Sequence, residues 1–495
     1  MAAEDGAVKP ADVAADVVIT CVETKDAVQD FKSPAEQRRY RHKQFKVRNS
    51  VLTDLYKISH IKTIYNAFTA SFILLFINIV VNDIAEHNSF QRHLDLIAWH
   101  FDGMLVVTCT WLLMFGATLV FFGFFKMWAY VRVQLQSSKL LRHSFDLMCV
   151  GAYAIYLLVF LCGPPALILR GDLAPVTTTL LVIEQLRMMM KSHAFVRSNL
   201  RNVIGKKGAK ETRAEDVKLD RPTFKQFLYF HIAPTLVYRD SYPRTDRVRW
   251  KIVTWHLCEA VGICFYSSIT FEQFLHGHLL SFWDEPLSFH RILALFFRSL
   301  FPGLMFLILC FYVFFHAWMN AWAEILRFGD RLFYKDWWTT TTFSDYYRSW
   351  NLIVHDWIYE YLYLDMVKKF SRAEVTEGTR PSPRRGSNYA IKALVFFVSA
   401  LFHEYVSALS VRFLYPVLFL LFGIIGVALM LVQLGKGAIG NIFMWLSLST
   451  GVAILLTAYS IEYYARKTCM PIEDAILDVI IPRSVTCNST LILWT

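Results

Sequence analysis

The chain has 495 residues, of which 55% are hydrophobic, 16% aromatic and only 18% charged. Soluble domains carry about 25% charged residues, whereas here apolar runs of roughly 18 or more residues recur, each long enough for a bilayer core of about 30 Å; a soluble globular protein is excluded. The net charge of +11 does not point to nucleic acid, because most basic residues lie in loops beside the apolar runs, where the positive-inside rule expects them.

The N-terminal "MAAEDGAVKP" is acidic and Ala-rich, with no basic region leading into an apolar one, so no cleavable signal peptide is expected. Residues 1–50 read as a cytosolic, largely disordered tail that ends in the basic "RRYRHKQFKVR", Arg38 to Arg48. Nine membrane crossings follow, at about 62–83, 104–125, 146–169, 174–190, 252–274, 299–321, 390–410, 412–434 and 443–465. The fourth is short and runs into "EQLRMMMKSH". The expected fold is therefore an all-α polytopic membrane protein whose membrane domain covers residues 51–466, with cytosolic loops at about 191–250 and 322–389. Lys126, Arg132, Lys139 and Arg142, and then Lys206, Lys207, Lys210 and Arg213, make the expected cytosolic loops basic. The predicted lumenal loop "HGHLLSFWDEPLSFHR" is nearly charge-balanced.

An odd number of crossings places residues 467–495 in the lumen. There Cys469 and Cys487 frame a proline-bearing loop, next to the acceptor pattern Asn488-Ser489-Thr490. Disulfides and N-glycans both belong to an oxidising lumen, so a Cys469–Cys487 bridge is expected. Cys21, Cys109, Cys149, Cys162, Cys258, Cys264 and Cys310 lie mostly in spans and read as small packing residues.

Two segments carry chemistry. Between the sixth and seventh spans, "FGDRLFYKDWWTTTTFSDYYRSWNLIVHDWIYEYLYLDMVKKF" packs Trp and Tyr beside Asp, Arg and His, the composition of an ordered re-entrant or interfacial structure. In "VSALFHEYVSAL", Val398 to Leu409, His403 and Glu404 sit inside an apolar span, where ionisable groups mark function. No metal site is expected: Ser407 stands where an H-E-x-x-H zinc motif needs its second histidine. A Ser-His-Asp triad lacks its G-x-S-x-G elbow. His403 shares its helical face with Ser399, Ala400, Ser407 and Ser410, small residues that leave room for a substrate, so it reads as a lone general base. His316, in an aromatic run, reads as a packed, hydrogen-bonded histidine, and His355 as interfacial structure.

"FYKDWW" (Phe333, Tyr334, Asp336, Trp337 and Trp338 among its residues), "SWN" (Ser349 to Asn351) and "HEY" (His403 to Tyr405) resemble the signature of the membrane-bound O-acyltransferases. The likeness is greatest to the sterol-acylating branch, through "EQLRMMMKSHAFVR", "APTLVYRDSYPR", "SALFHEY" and "FLYPVLF". One position departs: the motif ends in Asn in that branch and in Thr339 here, which is expected to alter the loop's geometry.

The resemblance implies a bundle of about nine helices around an intramembrane active-site chamber, in the endoplasmic-reticulum membrane, as a dimer or tetramer of identical chains. It implies transfer of a long-chain acyl group from acyl-CoA, a co-substrate, to the 3β-hydroxyl of cholesterol or a related sterol, with no cofactor. His403 would be the base, Asn351 would hold the thioester carbonyl or its oxyanion, and Trp350 would wall the site. Arg348, beside Tyr347, would meet CoA phosphates; Tyr363 and Ser399 would line the acyl channel, and His60 would touch sterol or pack. Asp336 is expected to fix its loop rather than react. The rival acceptor is diacylglycerol; a transporter or non-catalytic sterol-binding protein ranks below it, since no repeat or Gly/Pro-broken pair of spans occurs.

Overall fold

The computed structural model describes residues 42–87, 91–171, 173–204, 222–285, 287–367, 385–432, 435 and 437–487. Residues 1–41, the Lys206 to Arg213 loop and the Asn488 acceptor site lie outside these. Among the described residues every regular element is helical, with isolated bridges pairing Arg48 with Asp330 and Arg244 with Phe328.

The main helices are α1 (Ser59–His87), α2 (Met104–Gln134), α3 (Lys139–Arg170), α4 (Pro175–Ile204), α5 (Phe224–Ile232), α6 (Trp250–Phe271), α7 (Phe289–Phe311), α8 (Phe343–Ser349), α9 (Leu352–Ile358), α10 (Arg385–Val411) and α11 (Ala438–Thr468). Seven helical segments among the described residues are long and apolar enough to cross a membrane, matching seven of the nine expected crossings. The other two are helical but of different character. Of residues 174–190, all but the first belong to α4, whose buried Gln185 and Lys191 and half-buried Glu184 and Arg187 make it polar. Residues 412–434 contain only the short apolar helix Val417–Leu429.

Hydrogen-bonding caps start several helices where the sequence supplies them. Ser138 accepts from Leu141 N–H ahead of α3, Ser288 accepts from Arg291 N–H ahead of α7, and Thr223 with Gln226 forms a reciprocal capping box on α5. At the other end of α5 the ammonium of buried Lys191 donates to the carbonyls of Phe230, His231 and Ala233 at 2.8, 2.9 and 2.6 Å. A cation belongs at a helix C-terminus, where carbonyls lack partners. This contact ties α5 onto α4.

Inside the bundle, unpaired backbone carbonyls must find donors because lipid offers none. Pro164 and Pro165 in α3 lack the N–H groups that would serve the carbonyls of Phe160 and Leu161. Gln185 Nε2 donates to both, at 2.7 and 2.9 Å, and the Tyr405 hydroxyl lies 2.9 Å from the Leu161 carbonyl. One side chain each from α4 and α10 thus repairs the break in α3.

The cysteines depart from expectation. Cys149 is buried, but Cys109, Cys162, Cys258, Cys264 and Cys310 are exposed. The Cys469–Cys487 bridge does form. Beside it, buried Glu462 accepts from Arg466 Nε at 2.7 Å and from the N–H groups of Arg483 and Ser484. Asp478 pairs with Arg483 at 2.6 Å. Hydrogen bonds from the Arg483 guanidinium hold the Asp478 carboxyl below its ordinary value, against the upward push of partial burial. A carboxyl with a depressed folded pKa contributes stability above its unfolded value, about 3.9, and loses it as pH falls through the folded value. Asp478→Asn is therefore expected to speed proteolytic release of the tail at neutral pH by a factor of about 5–30, for a charged hydrogen bond worth about 1–2 kcal/mol. The variant and the parent should converge only as pH falls through the depressed folded value, below the ordinary carboxylate range. Limited proteolysis across pH with an acid-tolerant protease reads this out.

Candidate active site

The "FYKDWW" and "SWN" segments lie side by side. Lys335 N–H donates to the Ser349 carbonyl at 2.8 Å and Leu352 N–H to the Phe333 carbonyl at 2.9 Å. Phe333, Tyr334 and Trp337 are buried, and Trp338 is half-buried. Trp337 packs against Phe311 of α7, Trp350 and Trp445 of α11, at centroid distances of 5.1, 4.7 and 5.3 Å. The aromatic segment is thus an ordered core rather than a belt of rings at the lipid surface. Asp336 is exposed, and the Thr339 hydroxyl donates to its carbonyl at 2.8 Å and lies 3.3 Å from its carboxylate. Thr340 donates to the Trp337 carbonyl, and Thr342 caps α8 by accepting from Asp345 N–H. The threonine at the motif's end closes the loop by its own hydroxyl.

Tyr334 and His316 meet in the buried layer behind this loop, where the His316 Nδ1 lies 2.8 Å from the Tyr334 hydroxyl. His316 also touches Ser50 and Asn320, so the packed, hydrogen-bonded reading of this histidine holds. His355 lies 3.6 Å from the Asp356 carboxylate, and Asp356 in turn pairs with Lys43 at 2.7 Å, a structural contact at the interface of two chain segments.

Asn351 is the N-cap of α9. Its Oδ1 accepts from Val354 N–H at 3.1 Å. That bond orients the amide so that its two N–H donors point away from the helix end, with no partner among the described residues. Four residues earlier, Tyr347 reaches α10 and the Val417–Leu429 helix: its ring meets Phe396 at 5.1 Å and Phe422 at 5.4 Å, both edge-on. Burial pushes its phenol up to about 12, so it stays a neutral donor. Trp350, half-buried, stacks into the core between Phe311, Trp337 and Tyr346. Arg348 is exposed and only loosely paired, 3.8 Å from Asp345. Tyr363 lies in the π-helical turn Tyr359–Tyr363, which packs on α10, and stacks on Tyr359.

"HEY" divides its three side chains among three tasks. His403 Nδ1 lies 2.7 Å from the Ser399 carbonyl, one turn back on α10, so Nδ1 carries the proton and Nε2 presents a lone pair. His403 is exposed as a residue, and Phe422 stacks on one face of its ring at 4.6 Å and 24°. Glu404 is buried at 6% accessibility; it accepts from Phe419 N–H at 2.9 Å and from the Tyr459 hydroxyl of α11 at 3.2 Å. Tyr405 faces α3 and α4, as described above. His60 is exposed at the start of α1 and contacts none of the other candidate residues; α1 reaches the bundle through Tyr65, Phe72 and Phe76, all onto α6.

Reading the sequence alone missed the positioning role of Glu404 and the whole contribution of the Val417–Leu429 helix. It also left Gln185 and Tyr405 without a task, although the Pro164-Pro165 pair in a span already implied two carbonyls in need of donors. Glu404→Ala would strand the part-buried N–H of Phe419, at about 1–3 kcal/mol for an unsatisfied group, while the Tyr459 hydroxyl keeps the Tyr415 carbonyl 2.9 Å away. We expect a loss of about 10-fold in acyl transfer with little change in the apparent affinity for acyl-CoA, because the loss acts through the helix that carries Phe422; initial-rate kinetics test it.

A polytopic helical membrane protein with a tautomer-fixed histidine in a span, an oriented amide and an aromatic cytosolic-type loop has the parts of an intramembrane acyl-transfer enzyme. The membrane-bound O-acyltransferase family model matches residues 175–461, and the chain belongs to that family. Its relatives include "Sterol O-acyltransferase 1" of Mus musculus, 38% identical over 468 residues, which are 93% of this chain and 81% of that protein. The same enzyme of Chlorocebus aethiops is 39% identical over 463 residues, with 93% and 80% of the two chains covered. "Sterol O-acyltransferase 2" of Homo sapiens is 33% identical over 454 residues, covering 91% and 81%.

Proposed function

We propose that this enzyme is a sterol O-acyltransferase, moving a long-chain acyl group from acyl-CoA to the hydroxyl of cholesterol or a related sterol. The observation that carries the reading is the fixed tautomer of His403, with Nδ1 held by the Ser399 carbonyl and Nε2 without a hydrogen-bond partner among the described residues. The identity to sterol-acylating relatives over nearly the whole chain supports the acceptor.

Nε2 takes the proton of the sterol hydroxyl as its oxygen attacks the thioester carbonyl. General-base assistance of this kind contributes about 10²–10⁴-fold. The amide of Asn351 donates to the oxyanion that forms. As the tetrahedral intermediate collapses, the proton on Nε2 passes to the departing CoA thiolate, and the imidazole returns to its starting state. Both substrates are largely apolar and reach the site by lipid partition, while CoA leaves to the cytosol, where Arg348 meets its phosphates. Tyr363 and Ser399 line the acyl channel and Trp350 walls it. The membrane is that of the endoplasmic reticulum, with the N-terminus cytosolic, the bridged tail lumenal, and the chain assembled with identical copies.

The test uses membranes containing the full chain, supplied with labelled oleoyl-CoA and either cholesterol or diacylglycerol. Sterol ester is expected. Triacylglycerol as the main product would move the acceptor to diacylglycerol, and no acyl product with either would overturn the assignment.

A further inference from the structure

An enzyme that activates an alcohol against a thioester with a general base faces a competitor. Water is smaller, and the same base can activate it, giving free acid and CoA instead of ester. Something in this chain must keep water from Nε2 while admitting the hydroxyl of a bulky acceptor.

The helix Val417–Leu429 is placed to do so. Its middle, Leu420–Ile425, is a π-helical turn, a form that recurs at functional sites. The turn is held at three points. Glu404, the neighbour of His403 in sequence, accepts from Phe419 N–H. Gly423 lies so close to α10 that a methyl group there would stand 2.9 Å from the Ala400 side chain. At Gly426 a methyl group would stand 2.5 Å from the Tyr347 hydroxyl. Between these points Phe422 lies nearly parallel to the His403 imidazole, with Phe396 and Tyr347 closing round its ring at 5.9 and 5.4 Å. One face of the base is therefore covered by a fixed aromatic ring.

The geometry points to Phe422 as a positioning and water-excluding residue that sets transfer against hydrolysis, a role that rests on the reading of His403 as the base. With the ring gone, water enters beside the imidazole. Nε2 takes its proton, the hydroxide oxygen bonds to the acyl carbon, the carbon–sulfur bond breaks, and the thiolate leaves with the proton from Nε2. The products are free fatty acid and CoA, and the imidazole is unchanged.

The test follows labelled oleoyl-CoA into sterol ester and free oleate, with the full-length protein in membranes and cholesterol present. Phe422→Ala is expected to raise the oleate-to-ester ratio about tenfold. Phe422→Leu, which keeps covering bulk but no ring, should hold the ratio within about threefold of the parent. Oleate release by Phe422→Ala should vanish when His403→Ala is added. An unchanged ratio in Phe422→Ala, an equal rise in Phe422→Leu, or oleate release that persists in the double variant would each overturn the proposal. Should Phe422→Ala fail to accumulate, Phe422→Val carries the same expectation. Sterol ester made by the single His403→Ala variant at less than about a tenfold loss would instead overturn the base assignment itself.

Discussion

His403→Ala is expected to lower sterol acylation by about 10²–10⁴-fold, the contribution of a positioned general base. The structure makes the expectation specific. The ring already donates through Nδ1 to the Ser399 carbonyl, so the lone pair on Nε2 is the one free to accept a proton. No second histidine, cysteine or carboxylate joins it in a metal-binding group among the described residues, and neighbouring Glu404 is occupied by Phe419 and Tyr459. The parent's rate should fall on the acid side as Nε2 takes up a proton; the residual rate of the alanine variant should show no such limb. The fold should survive, since the Glu404 and Tyr405 contacts that bind α10 to its neighbours remain. Expression, detergent extraction and rate against pH, measured together, check all three parts.

The second large effect is expected at Asn351, where one side chain has two duties that separate cleanly. Its Oδ1 caps α9 through Val354 N–H, and its Nδ2 is the donor assigned to the oxyanion. Asn351→Ala loses both, about 1 kcal/mol of helix stability for the cap and roughly 10²–10³ in turnover for the donor. Asn351→Asp keeps an excellent cap acceptor but replaces the donors by a negative charge beside a developing negative charge. It should fold as well as the parent and lose at least as much turnover as Asn351→Ala. Parental turnover in a well-folded aspartate variant would remove Asn351 from the chemistry and leave it a cap alone. Thermal unfolding and single-turnover rates on the two variants decide.

Both residues were legible as candidates before any coordinates, Asn351 through the resemblance of "SWN" and His403 through its polarity in an apolar span. The contacts that set their geometry were not. Ser399 was read as a channel residue by its side chain, yet its carbonyl is what fixes the His403 tautomer, and a carbonyl carries no signature in sequence. Glu404 had no assignable partner because its partners lie 15 and 55 residues away, on segments whose adjacency only packing creates. Phe422 was one phenylalanine among 41. Its importance comes from a π-helical turn and two close-approach glycines that rotate it onto the imidazole. His60, by contrast, was named by resemblance and lies exposed at the start of α1.

Hydrophobic run length, charge clustering and the short motifs are local properties, and from them came the helical membrane class, seven of the crossings, the bridge between Cys469 and Cys487, and His403 as the candidate base. The tertiary structure alone decided what surrounds that histidine: which carbonyl holds it, which ring covers it, and why a glutamate follows it. Those contacts join α10 to Val417–Leu429 and α11, and Tyr405 joins it to α3 and α4. They depend on which helices become neighbours, and that is settled by burying apolar surface and pairing every intramembrane polar group across the whole bundle at once.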